Sequence, residues 1–225
     1  MIPNGKLVAS DGNQVAVFPS QDMYITQGTN TNYSHKGTKN TDNASASNRR
    51  KLYAPCDMKL YLNASSGGYG ILFYHSVKPV HTARYGLTHI TMVLMHDNNA
   101  HQFVQGKTYK QGEHIYTEGD ADPSGLTTGI HVHYEVAVGH QYSRTRLGEG
   151  YNYEITNSVY LDDIFFNNMT NIIRDNPPNN QFKGDHVYTW LTFDGETIDP
   201  SKPSKPSGED GIYHAILSKA FPFNF

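Results

Sequence analysis

The first 140 residues are a succession of short apolar segments with no sustained helical repeat among them. "KLVAS", "QVAVF", "DMKLYLN", "GILFYHSV", "HITMVLMH", "HIYTEG" and "IHVHYEVAV" follow one another, separated by clusters of Gly, Asn, Asp and Pro. Branched and aromatic side chains fit a pleated surface, and the residues between them favour turns. The pattern predicts a mainly β fold with an antiparallel sheet core, sheet on sheet or partly rolled. Residues 158–174, "SVYLDDIFFNNMTNIIR", differ. There Val159, Ile164, Phe165, Met169, Ile172 and Ile173 form a broken apolar stripe, and Ser158 stands where a cap would. That spacing predicts a short helix, which "DNPPNNQ" would end.

The expected organisation is one domain over residues 1–175 and a C-terminal extension over 176–225. Within the extension, "DPSKPSKPSGEDG" at 199–211 reads as an extended linker. The apolar "IYHAILSKAFPFNF" after it is expected to dock on the β domain or on a partner, since leaving it in water would expose a large apolar patch.

Charge narrows the partners. The 225 residues hold 18 Lys+Arg against 21 Asp+Glu, and charged residues are 17% of the total. With no basic run, neither nucleic acid nor an anionic membrane is expected as a partner. The single cysteine, Cys56, excludes an internal disulfide framework and a thiolate zinc site, and is read as a small buried apolar residue. No apolar run approaches the roughly 18 residues of a membrane-spanning helix. The start, "MIPNGKLVASDGN", lacks the features of a secretory leader. Action outside a cell would then need another exit route, such as host lysis or packing into a particle.

The stretch "GIHVHYE", residues 129–135, carries the first chemical signal. In an extended strand, residues i and i+2 project from one face. His131 and His133 would stand together there, with Ile130, Val132 and Tyr134 turned to a core. By itself this is either a half-exposed strand with two histidines or part of a metal or catalytic site. His96 ends "ITMVLMHDN", where alternation groups it with Ile90, Met92 and Leu94. His35 sits in a Gly- and Asn-rich loop, followed by Gly37 and Asp42. The remaining histidines of the twelve are read as surface or packing residues.

Taken in order, these residues resemble the lysostaphin/LytM-type zinc endopeptidases of peptidoglycan. The flanks "YAPCDMKLYLNASSGGYGILFYH" and "GKTYKQGEHIYTEGDADPSGLTTGIHVHYEV" are similar to that family's glycine-rich hairpins and its HxH run. The resemblance spans about residues 24–139. It implies a Zn2+ ion held by His35, Asp42 and His133, with His96 and His131 as two non-ligand catalytic histidines. The implied substrate is a peptide bond in the stem or cross-bridge of bacterial peptidoglycan. Two neutral imidazoles and one carboxylate leave such a zinc site net positive, with an open fourth position.

The chain departs from the family pattern in places. Six residues separate His35 from Asp42 where three are usual, and "TKN" after Gly37 reads as the insertion. Asp57 is the alternative carboxylate. Asp97 stands where a leucine is usual, and Ile130 where a proline is. Two other readings stand beside this one: a cupin-like or carbonic-anhydrase-like metal enzyme, and a catalytically inactive copy serving as a structural or wall-binding module. The absence of a leader pattern, the Asn-rich composition and the linker-like tail fit a bacteriophage wall-degrading enzyme. It would be a lysin released on host lysis or a tail-associated component acting at the cell wall, with other phage tail components as partners in the second case.

Overall fold

In a computed structural model of the chain, residues 8–9, 11–20, 22–30, 34–44, 49–147 and 152–166 are described, with 187–188 described by backbone pairing. The linker at 199–211, the apolar terminus, the boundary near 175 and the second half of the expected helix lie outside these residues. The strands are β1 (Asp22–Gln27), β2 (Thr41–Ala44), β3 (Lys51–Tyr53), β4 (Met58–Asn63), β5 (Leu72–Ser76), β6 (Val80–Thr82), β7 (Gly86–Thr88) and β8 (Ile90–Met95). They continue with β9 (Thr108–Tyr109), β10 (His114–Thr117), β11 (Val132–Val138), β12 (Arg144–Arg146), β13 (Tyr153–Ile155), β14 (Ser158–Val159) and β15 (Val187–Tyr188). The helix α1 spans Leu161–Ile164.

Nine strands form one antiparallel sheet in the order β15-β1-β2-β11-β8-β5-β4-β9, with β14 also pairing β11. Its centre is β11, because "VHYEVAV" offers a full apolar side to one face: Val132, Tyr134 and Val136 are all buried in the main core. Burying each such side chain contributes about 1.5–3 kcal/mol. The neighbours add Ile90, Met92 and Leu94 from β8, and Leu72 and Tyr74 from β5. Leu52, Ile115 and Tyr116 of the two-stranded β3–β10 sheet close over this core, together with Phe18, Cys56, Leu161, Ile164 and Phe165. The sheet-on-sheet expectation thus holds locally; the other two-stranded sheets are the hairpins β6–β7 and β12–β13. On the opposite face, Phe73, Val93, Ala137 and Ile155 make a smaller apolar cluster.

Three local expectations need correction. "QVAVF" forms single bridges rather than a strand: Val15 pairs with His81, and Val17 with Phe166. Its continuous apolar run is buried on both sides, and alternate residues find different partners. Residues 158–174 do not begin a helix at Ser158. The turn at Asn157, with φ 56°, sends Ser158 and Val159 into pairing with β11, and α1 is a single turn without a side-chain cap. Third, "TDNA" is not loop but the strand β2, held between β1 and β11. Among the described residues, no helix is long and apolar enough to cross a membrane.

Candidate metal centre

The register of the sheet builds the centre. β11 pairs with β2 so that His133 lies directly across from Asp42, and with β8 so that His133 lies across from Met95. His133 and Glu135 project from the face opposite Val132 and Tyr134, as a two-residue period requires. The turn between β1 and β2 then brings His35 in from the side. There His35 Nδ1–H donates to the Gly28 carbonyl at 3.1 Å, and Thr38 Oγ1 donates to the His35 carbonyl at 3.0 Å.

Three donor atoms converge. His35 Nε2 is 3.1 Å from His133 Nδ1, Asp42 Oδ1 is 2.9 Å from His133 Nδ1, and His35 Nε2 is 3.3 Å from Asp42 Oδ1. Ligands about 2.0–2.1 Å from a tetrahedral zinc are themselves about 3.3 Å apart, so the triangle has the right size for that ion. All three residues are buried, and among the described residues they are the group whose donor atoms could hold a metal ion. Burial by itself would raise the Asp42 carboxyl; the imidazoles of His35 and His133 outweigh it and hold the group well below the usual carboxylate range. Asp57 lies elsewhere: it accepts from Lys110 Nζ at 2.7 Å and from Gln14 Nε2 at 2.9 Å.

The other two histidines flank this triangle. His131 Nε2 is 3.8 Å from Asp42 Oδ2, and its ring centre is 4.5 Å from that of His96. Each donates Nδ1–H to a backbone carbonyl, His131 to Gly129 at 2.8 Å and His96 to Ala121 at 2.9 Å. That fixes the tautomer, leaving Nε2 of each neutral ring as an acceptor. Burial, with the neighbouring His131 ring, pushes His96 down to about 4, so it is neutral at physiological pH.

His96 is not on the face that strand alternation assigns it. It follows the end of β8 with φ 93°, a left-handed conformation costly for a non-glycine residue. This turns it away from Ile90, Met92 and Leu94 toward His131. The conformation is held by His96 N–H to Tyr69 O at 2.8 Å, and Ala121 N–H to His96 O at 2.9 Å. Gly119 permits it, because a Cβ there would come within 2.2 Å of the His96 carbonyl oxygen. Asp97, which stands where the resemblance leads one to expect leucine, is buried; its carboxylate accepts from Asn99 N–H and Thr117 N–H, both at 2.8 Å. It ties this turn to β10 and stays out of the site.

Asp42, His96, His131 and His133 open onto one cleft of about 620 Å³, whose walls include Tyr69, Met95, Leu126, Arg144 and Tyr153, while His35 is fully buried behind them. Glu135 and Arg144 were missed as site residues by the sequence reading. His133 Nε2–H donates to Glu135 Oε1 at 3.0 Å, on the side of the ring away from the metal donors. Glu135 therefore stands behind the His133 ring and outside the triangle of candidate donors. Its place two residues beyond His133 on the same face was a usable signal, whereas Arg144 had none.

No protein-family model matches the chain. Morphogenesis protein 1 of Bacillus phage B103 is 37% identical over 133 residues, which are 59% of this chain and 35% of that protein. The chain thus spans about a third of the length of this relative. Among solved structures, a zinc-containing peptidase from Vibrio cholerae is 20% identical with a TM-score of 0.39, over 60% of this chain and 41% of that one. The catalytic domain of the antimicrobial peptidase lysostaphin from Staphylococcus simulans is 16% identical with a TM-score of 0.35, over 54% of this chain and 82% of that one.

Proposed function

We propose that the chain is a zinc-dependent endopeptidase that hydrolyses peptide bonds in the stem or cross-bridge of bacterial peptidoglycan. The observation that carries this is the buried triangle of His35 Nε2, Asp42 Oδ1 and His133 Nδ1, with two unliganded histidines beside it. The family resemblance of residues 24–139 supports the choice of substrate. When bound, zinc supplies Lewis acidity to the scissile carbonyl and to the attacking water.

The chain's own residues do the proton work. His96 and His131, each with Nδ1–H fixed on a carbonyl, offer Nε2 to take the proton of the attacking water. Once protonated, the same atom donates to the developing oxyanion or to the leaving amine. Tyr69, Met95 and Leu126 line the cleft with apolar surface that limits water around the reacting bond.

A phage source is supported by the relative in Bacillus phage B103. Its name, a morphogenesis protein, favours a particle-borne enzyme that opens the wall over a lysin. The test is mass spectrometry of purified cell walls digested by the full chain. New amino groups without new reducing sugar ends are expected. New reducing ends alone would mean a glycosidase and overturn the reading.

A further inference from the structure

The β12–β13 hairpin lies beyond the stretch that resembles the peptidase family, yet it holds the metal cluster from two sides. On the first, Arg144 of β12 grips Glu135 with both arms of its guanidinium: Nε donates to Oε2 at 3.1 Å and Nη2 donates to Oε1. Ile155 N–H of β13 also donates to Oε2, at 2.7 Å. With His133 Nε2–H on Oε1, every direction of this buried carboxylate is engaged, and Glu135 is only 1% exposed. Ile155 itself packs with Phe73, Val93 and Ala137, which anchors the hairpin to the sheet.

On the second side stands the spacer that lengthens the span between His35 and Asp42. Lys39 N–H donates to Glu154 Oε1, Lys39 Nζ donates to the Ser158 carbonyl at 2.8 Å, and Asn40 Nδ2 donates to the Tyr153 carbonyl at 2.7 Å. The extra residues therefore do not bulge freely; they are pinned to β13 and the start of β14.

An imidazole turns easily about its last side-chain bond, so a histidine alone does not hold one nitrogen on a metal. A carboxylate on the other ring nitrogen fixes both tautomer and orientation, provided the carboxylate itself cannot turn. A two-armed arginine contact prevents that turn, because two parallel donors set the plane of the carboxylate. We propose that the β12–β13 hairpin is the positioning brace of the metal centre. Arg144, through Glu135, sets the ring of His133, and Lys39 and Asn40 fix the span from His35 to Asp42. This rests on the zinc reading above, and these are positioning residues, not catalytic ones.

The test compares the full-length wild type with Arg144→Gln, Arg144→Lys and Glu135→Gln. Two quantities are measured: zinc affinity, by competition with a chromophoric chelator, and hydrogen exchange of the His133 Nε2–H by nitrogen-15 NMR in zinc-free protein. Arg144→Gln and Glu135→Gln should weaken zinc binding about 10–100-fold. Arg144→Lys should fall between them and wild type, since it keeps the charge but loses the fork. The His133 Nε2–H should exchange slowly in wild type and faster in Arg144→Gln. If Arg144→Gln does not fold, Arg144→Lys carries the comparison. Zinc affinity within twofold of wild type in all variants, with unchanged His133 exchange, would overturn the brace and leave the zinc reading standing. A wild type that takes up no zinc, but whose His133 exchange still depends on Arg144, would overturn the zinc reading and leave the hairpin as the element that fixes His133.

Discussion

Strands β8 and β11 run antiparallel, and each carries histidines at both ends, so one strand pair presents two histidine clusters. At one end His96 meets His131, ring centres 4.5 Å apart; at the other His89 meets His140 at 4.2 Å. The two ends differ in what accompanies the rings. The first end has Asp42 and Glu135 among its histidines. At the second, His75 stacks between His140 and Tyr61, His75 donates to the Gln141 carbonyl, and His140 donates to the Ser76 carbonyl. None of these described contacts is to a carboxylate. Imidazoles in number do not make a metal site; buried carboxylates that draw their nitrogens together do.

The sharpest way to break this contrast is to remove a donor from the first end. His35→Ala or His133→Ala should abolish peptide hydrolysis, to background, in an assay of amino-group release. Next in size are the flanking rings. His131→Ala and His96→Ala should keep zinc and a cooperative melt yet lose on the order of 100-fold or more in turnover. Wild-type turnover in either variant would remove that ring from the proton path. Gly119→Ala should act through the turn that carries His96: its Cβ must displace the His96 carbonyl, 2.2 Å away, and Asn98 Oδ1, 2.5 Å away. Turnover should fall roughly 10–100-fold with zinc content unchanged, as for a misplaced catalytic group.

A smaller effect concerns pH. Burial would lower His133, but its hydrogen bonds to Asp42 and Glu135 push it up to about 9 from an ordinary 6.5. In zinc-free protein that stabilisation is complete below about 6.5 and is lost as pH rises through about 9. Thermal melts of chelated protein should therefore decline across that window. Asp42→Asn, which removes a charged partner, should flatten the decline, and so should zinc, which displaces the proton from Nδ1. At the second end the expected effect is smallest. His75→Ala and His140→Ala should leave zinc content unchanged, and turnover of a small peptide should stay within about twofold of wild type. A loss of zinc there would erase the distinction between the two ends.

The sequence reads well where period and burial agree. The alternation of "VHYEVAV" and the apolar richness of "ITMVLM" announce β11 and β8, and both are central strands. It reads poorly at β2, because Asp42, Asn43 and Ala44 of "TDNA" are all disfavoured in strands; tertiary pairing with β1 and β11 makes it a strand. Asp42 was nameable from residue order, but its place opposite His133 comes from sheet register, which no local pattern carries. The face of His96 was misjudged because one residue with φ 93° reverses what alternation implies. Arg144 was invisible, since it meets Glu135 through a hairpin with no periodic apolar signal of its own.

The central claim is that the carboxylate-bearing end of the β8–β11 pair is a zinc site completed by Asp42. Metal analysis of the purified full chain, Asp42→Ala and Asp57→Ala tests it most directly. The account predicts about one zinc per chain in wild type and in Asp57→Ala, and none in Asp42→Ala. Zinc retained by Asp42→Ala, or lost from Asp57→Ala alone, would contradict it.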